Sequence, residues 1–226
     1  KDVESAFFRQ LDLEHSEKVV SALIISLGRV CLTSELLRLG KYLNDKSERI
    51  VANTIEAFGK SEDPKVIDLL MPFITSTHSR IKANASMVLF SKGKIEVIET
   101  LKPMLLHSDS NMRASAAFAL GEIATLKNID SIVKKISTPN VNHNYFLAEI
   151  QTCVPILVSL LSDSNSMVKR QSVIALGKIR DKSAVVPLLA HIDLEKDSQE
   201  MIAEIADALR SIGSHRLVRE VVVGLS

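Results

Sequence analysis

Apolar and small residues return along the chain in a fixed phase. Six octets carry the pattern: SALIISLG at 21–28, ANTIEAFG at 52–59, ANASMVLF at 83–90, ASAAFALG at 114–121, RQSVIALG at 170–177 and ADALRSIG at 206–213. The first four end at 28, 59, 90 and 121, a period of 31 residues. Apolar residues also stand two places before most octets (Val19, Ile50, Ile81, Met112, Val168) and at the seventh position (Leu27, Phe58, Leu89, Leu120, Leu176, Ile212). With the third and fourth positions they form one stripe at helical spacing, which predicts an amphipathic helix in each repeat. The first octet position is small in five of the six, which predicts close helix approach. The terminal glycine predicts a left-handed C-cap, with Gly93 ending the helix whose octet closes on Phe90.

A second apolar pattern follows each octet. Leu36, Val66, Ile67, Val97, Ile98 and Val185 come first, then Leu39, Leu70, Leu101 and Leu188. This predicts a partner helix per repeat, with Asp63 capping one before Pro64. Pro72, Pro103 and Pro187 are expected to kink or shorten these partner helices. The 56 residues between Gly121 and Gly177 read as 31 plus 25. In that reading Ile129, Ile132 and Ile136 belong to a partner helix, and Tyr145–Thr152 (YFLAEIQT) falls in octet register. A further helix follows at once near Val154 and Pro155, and Ser137–Asn144 is a long turn. No period-2 run predicts a strand. The expected fold is all-α: an α-solenoid, or α-α superhelix, of about seven two-helix repeats. Residues 1–226 then form a single array with an irregular repeat around 137–155.

The octets ASAAFALGEI at 114–123 and RQSVIALGKI at 170–179 resemble HEAT repeats, and their short regular form is similar to the phycobilisome-lyase type found in bacteria. The resemblance runs from about Ser16 to Gly213. It implies a curved stack whose octet helices line the concave side. Such arrays usually bind other proteins, often as one segment of a longer chain. The same resemblance implies an alternative, a bilin lyase or isomerase subunit. The motif itself is all packing and names no activity.

Composition narrows the function more than the fold. A net charge of +1 sets up no global field for nucleic acid or an anionic membrane. Aromatic residues are 4% of the chain and Trp is absent, which is thin for gripping sugars, bases or flat cofactors. The two cysteines, Cys31 and Cys153, lie far apart among apolar neighbours and read as packed thiols of a reducing compartment, hence a cytoplasmic expectation. No apolar run approaches the ~20 residues of a membrane helix. The chain begins at Lys1 and closes on the apolar LVREVVVGLS, which suggests flanking domains in a longer protein.

No catalytic residue, cofactor or metal is expected. His15, His78, His107, His143, His191 and His215 form no HExxH and no recurring His–Glu pair, which argues against the di-iron hydroxylases of similar architecture. There is no CxxC, Walker loop or GxSxG. The near-neutral charge also argues against a helical-repeat DNA glycosylase. His191 reads as a core or boundary histidine. Basic residues open several octet helices (Lys18, Arg49, Arg80, Lys82, Arg113, Lys169). They read as an inter-repeat ladder with turn carboxylates such as Asp45 and Asp109, or else as a track for phosphate or acidic peptide. The acidic run of Asp193, Glu195, Asp197, Glu200, Glu204 and Asp207 reads as a solvated face.

One feature points to a binding surface. The second and fifth octet positions turn away from the stripe. The fifth reads Ile25, Glu56, Met87, Phe118, Ile174, Arg210, which is apolar at four of six places expected to meet water. The expected function is therefore a scaffold that binds a protein or peptide on its concave face. The candidate residues are Arg49, Asn53, Arg80, Asn84, Met87, Ser115, Phe118, Gln171, Ile174 and Lys178. A structural spacer or oligomerisation arm is the other reading.

Overall fold

The computed structural model describes residues 2–31, 34–125, 143–194 and 199–213, and all regular structure among them is helical. Two compact units divide the chain, 1–94 and 95–226. The first contains α1 (Asp2–Leu13), α2 (Glu17–Val30), a 3-10 stretch over Ser34–Asn44, α3 (Glu48–Phe58), α4 (Lys65–Leu70, continued by a 3-10 turn over Met71–Thr75) and α5 (Ser79–Ser91). The second contains α6 (Ile98–Leu105, led by Ile95–Val97), α7 (Ser110–Ala124), α8 (His143–Gln151), α9 (Val154–Ser159, continued by Leu160–Ser162), α10 (Ser166–Ile179), α11 (Val185–Leu194, led by Lys182–Ala184) and α12 (Gln199–Ile212). In each unit the octet helices stand side by side, α2–α3–α5 in the first and α7–α10–α12 in the second, each backed by a partner helix. The fold is an α-solenoid of HEAT-like helix pairs, and six such pairs lie among the described residues.

The apolar stripe is the core, except at its first member: Val19 is exposed and Val20 is buried in its place. Leu27, Phe58, Leu89, Leu120 and Leu176 are each 0% exposed. Each such side chain stabilises the fold by about 1.5–3 kcal/mol through removal from water. Cys31 and Cys153 are buried thiols, and burial pushes Cys153 up. His191 is buried, as its register implies. Proline shortens one partner helix as expected, α4, which gives way to 3-10 geometry at Met71 directly before Pro72, whereas α6 and α11 continue past Pro103 and Pro187.

The turns entering the octet helices repeat as regularly as the core. Glu14, Asp45, Ser76, His107 and Asp163 each accept the backbone N–H two residues on, at 2.8, 2.8, 3.1, 3.0 and 2.9 Å. The first four stand 31 residues apart. Each precedes a cap position, and Ser47, Asp109 and Asn165 there accept helix N–H groups in turn.

Two expectations are corrected. First, the octet glycines are mostly not left-handed caps. Gly28, Gly121 and Gly177 lie inside α2, α7 and α10, which run on to Val30, Ala124 and Ile179. Gly59 follows α3 with right-handed geometry at φ −56°. Their role is close approach: a Cβ on Gly28 would stand 2.7 Å from Ala57 Cα, and one on Gly177 2.7 Å from Ala208 Cα. Left-handed geometry appears at Gly213 and at Gly93, which closes α5 as expected, with Lys94 N–H donating to Leu89 O at 3.0 Å.

Second, the interval 121–177 is a single step of the stack with an insertion. α7 packs directly along α10, and a Cβ on Gly121 would meet Ala175 Cα at 3.1 Å. Tyr145–Thr152 therefore does not stand between them as an octet helix. It contributes to α8, which reaches α6 through Lys102 Nζ–Glu149 Oε2 at 3.7 Å. The octet register was matched there by ordinary amphipathic spacing, which any helix packed on one face shows. Ile129, Ile132, Ile136 and most of the Ser137–Asn144 turn lie outside the described residues. α9 does follow α8 almost at once.

Candidate functional site

Packing of the octet helices by their apolar stripes leaves one face of each turned outward. Its members recur at i, i+4, i+7 and i+11, the spacing of one helical face. In the first unit the rows are Lys18, Ala22, Ile25, Arg29; Arg49, Asn53, Glu56, Lys60; and Arg80, Asn84, Met87, Ser91. In the second they begin Asn111, Ser115, Phe118, Glu122 and Met167, Gln171, Ile174, Lys178.

Within the first unit Arg49 and Arg80 are exposed and Met87 is half-buried. Asn53 and Asn84, expected to point at solvent, are buried at 1% and 6% exposure. Their amides are spent within the chain. Asn84 Nδ2 donates to Ala52 O at 3.1 Å, and Asn53 Oδ1 accepts from Arg80 Nη2 at 2.7 Å. Close packing of α3 against α2 and α5 leaves no room for water over Asn53 and Asn84, whereas Ala22 at the same octet position is exposed. The asparagines therefore tie neighbouring repeats and aim Arg80, whose guanidinium also lies 3.9 Å from Glu56. Replacing Asn84 with alanine is expected to lower stability by about 1 kcal/mol, read from the urea midpoint. An unchanged midpoint would show that the buried amide contributes nothing net.

Within the second unit Phe118 is 42% and Met167 52% exposed, with Ser115, Gln171 and Ile174 half-buried beside them. Gln171 Nε2 lies 3.7 Å from Met167 Sδ. The charges around this patch are neutralised in pairs: Lys178 with Glu122, Arg170 with Glu204, and Arg210 with Asp207.

The basic ladder is divided. Arg113 is locked in place, donating to Asp163 Oδ1 and Oδ2 at 2.9 and 2.7 Å and to the carbonyls of His107 and Ser108 at 2.7 and 2.8 Å. The guanidinium holds Asp163 below the usual carboxylate range. Its partner is thus the turn carboxylate of the next repeat. Asp45 and Asp109 instead accept their own turn N–H groups. Lys92 escaped notice in the sequence because it lies outside the octet. It is 8% exposed, and its ammonium bonds Ser61 O and, at 3.2 Å, Gly59 O, at the C-terminal end of α3 where the dipole favours a cation. Met167 was also missed, although it occupies the register position of Arg49 and Arg80.

Among the described residues no three His, Cys, Asp or Glu side chains are disposed to hold a metal ion, and no helix is long and apolar enough to cross a membrane. The arrangement offers contact surface and charge.

No curated protein sequence matches the chain. An engineered protein of known structure is similar over 95% of this chain and 97% of its own, at 20% identity and a TM-score of 0.50. A designed armadillo repeat protein in complex with the peptide (KR)4 aligns over 92% of this chain and 98% of its own, at 14% identity and TM-score 0.49. Human deoxyhypusine hydroxylase, in complex with glycerol, aligns over 89% and 82%, at 17% identity and TM-score 0.34. A family model described as HEAT repeats matches residues 146–210, from within α8 through most of α12. Residues 146–210 are thus similar to HEAT repeats, and the helix pairs before them follow the same plan.

Proposed function

We propose that the chain is a non-catalytic scaffold that binds a protein or peptide partner on the outward, concave face of its octet helices. The observation that carries this reading is exposed Phe118 and half-buried Ile174 at the same place in the rows of α7 and α10, with exposed Met167 about two turns earlier on α10, beside a fully packed core. Single exposed apolar residues are ordinary, whereas a cluster ringed by mutually neutralised charges suits a contact surface. Ser115, Gln171 and Lys178 supply polar contacts at its edge, and Arg49, Arg80 and Met87 serve the corresponding face of the first unit. Asn53 and Asn84 act there by positioning, through the bonds that fix Arg80 and the spacing of α3 and α5. A preformed helical surface loses little entropy on docking. Two reduced, buried thiols fit a cytoplasmic setting. Nothing among the described residues favours the bilin-handling or spacer readings over this one.

The test is capture of a partner by the wild-type chain, followed by its affinity for Phe118→Asp. Placing a carboxylate in the patch is expected to weaken binding at least about tenfold while the melting temperature stays within a few degrees. Retained affinity in a folded Phe118→Asp variant would remove this patch from the site.

A further inference from the structure

Resting on the scaffold reading, we propose that the first unit takes an acidic segment of its partner, a stretch rich in Asp and Glu laid across α2, α3 and α5. The three outward rows of that unit carry Lys18, Arg29, Arg49, Lys60 and Arg80 against one carboxylate, Glu56. Five cations less one anion leave +4 on this face, where the whole chain sums to only +1. All five cations are exposed. Lys18, Arg29, Arg49 and Lys60 form no ion pair among the described residues, while Arg80 donates to the amide of Asn53 and pairs with Glu56 at 3.9 Å.

Folding accounts for only part of this charge. Arg29 and Lys60 stand at C-terminal ends, where a cation is favoured by the helix dipole. Lys18, Arg49 and Arg80 are the second residues of α2, α3 and α5, at the positive end, where a cation is disfavoured. The second unit supplies the contrast. There the same rows hold Glu122 with Lys178 and Asp207 with Arg210, each charge answered within the chain. Unanswered cations in aligned rows are electrostatically complementary to a run of carboxylates. A peptide fits better than a nucleic acid. No aromatic side chain stands in these rows to stack on a base. Half-buried Ile25 and Met87 offer contacts for apolar side chains between the carboxylates of a peptide.

The probe is a fluorescein-labelled oligoglutamate peptide, followed by anisotropy with the full chain, beside oligoglutamine and an oligo-dT strand of equal charge. Oligoglutamate is expected to bind, oligoglutamine not to bind, and affinity to fall at least about tenfold between about 0.05 and about 0.5 M salt. Lys18→Glu with Arg49→Glu is expected to abolish binding while leaving the helical circular dichroism intact, because an anion suits a helix N-terminus. Arg29→Gln with Lys60→Gln is a second variant pair that weakens binding without reversing charge. Failure of oligoglutamate to bind, equal binding by the charge-reversed variant, or tighter binding of oligo-dT would each overturn the proposal. If oligoglutamate fails while a captured partner is still lost on Phe118→Asp, this inference falls and the scaffold reading stands. If the apolar patch proves dispensable while oligoglutamate binds the cationic rows, the acidic-segment inference survives without that patch.

Discussion

Replacing Gly177 by alanine is expected to destabilise the chain by about 2 kcal/mol, although alanine is the better helix former. Gly177 lies within α10 and has no positive φ, so intrinsic propensity alone would favour alanine by about 1 kcal/mol. The opposing effect is contact. The new Cβ would stand 2.7 Å from Ala208 Cα and 2.8 Å from Ala208 Cβ. The first of these is backbone and cannot rotate away, so α10 and α12 must separate along a buried seam. Gly28→Ala meets the same obstacle at Ala57, 2.7 Å from both Cα and Cβ. Gly121→Ala is expected to cost less, since its nearest atom lies at 3.1 Å and Lys178 Cδ, at 3.3 Å, belongs to a flexible side chain. Gly40→Ala, with nothing within 4 Å, is expected to be neutral or slightly stabilising. Urea unfolding of the four variants gives the ranking. A stabilised Gly177→Ala would mean that the helices yield freely and that the glycines do not set their spacing.

That ranking also marks where the sequence was legible. The period of 31, the apolar stripe and the partner helices could be counted, because burial imposes spacing and spacing survives in any one chain. The glycine at the end of each octet was equally visible, but its cause was not. A cap and a close contact both select glycine, and only the neighbouring helix distinguishes them. The interval 121–177 failed for a related reason. Helical spacing in Tyr145–Thr152 identifies a helix but not its neighbour, and α10 was already seated against α7. The site divides similarly. Phe118 and Met87 stood out as apolar residues off the stripe. Asn53 and Asn84 looked like surface amides, and their burial follows from the distance between adjacent helices, which a single helix wheel does not contain. Lys92 and the Arg113–Asp163 pair join residues 31 or more positions apart by side chains of no distinctive pattern.

Arg113→Met is expected to lower stability by about 3 kcal/mol, because it strips the partner from a carboxylate that is only 7% exposed. Four hydrogen bonds go with the guanidinium: two to Asp163, and two to carbonyls of the turn that enters α7. Asp163 retains the N–H of Asn165 at 2.9 Å, too little to replace a facing cation. Asp163→Asn separates charge from geometry, since the amide oxygen can still accept that turn N–H. Its expected cost at neutral pH is smaller, about 1–2 kcal/mol. The pH dependence has a fixed sign. The guanidinium lowers the Asp163 carboxyl in the folded chain, so its contribution is complete above the ordinary aspartate value, about 3.9, and is lost as pH falls through the lower folded value. The stability gap between wild type and Asp163→Asn should therefore be constant from neutral pH down to that ordinary value and close below it. A gap that persists undiminished into strong acid would assign the clamp to shape and hydrogen bonding. A gap that closes would assign it to charge, and would make this ion pair a main reason why the direct seating of α10 on α7 survives the insertion between them.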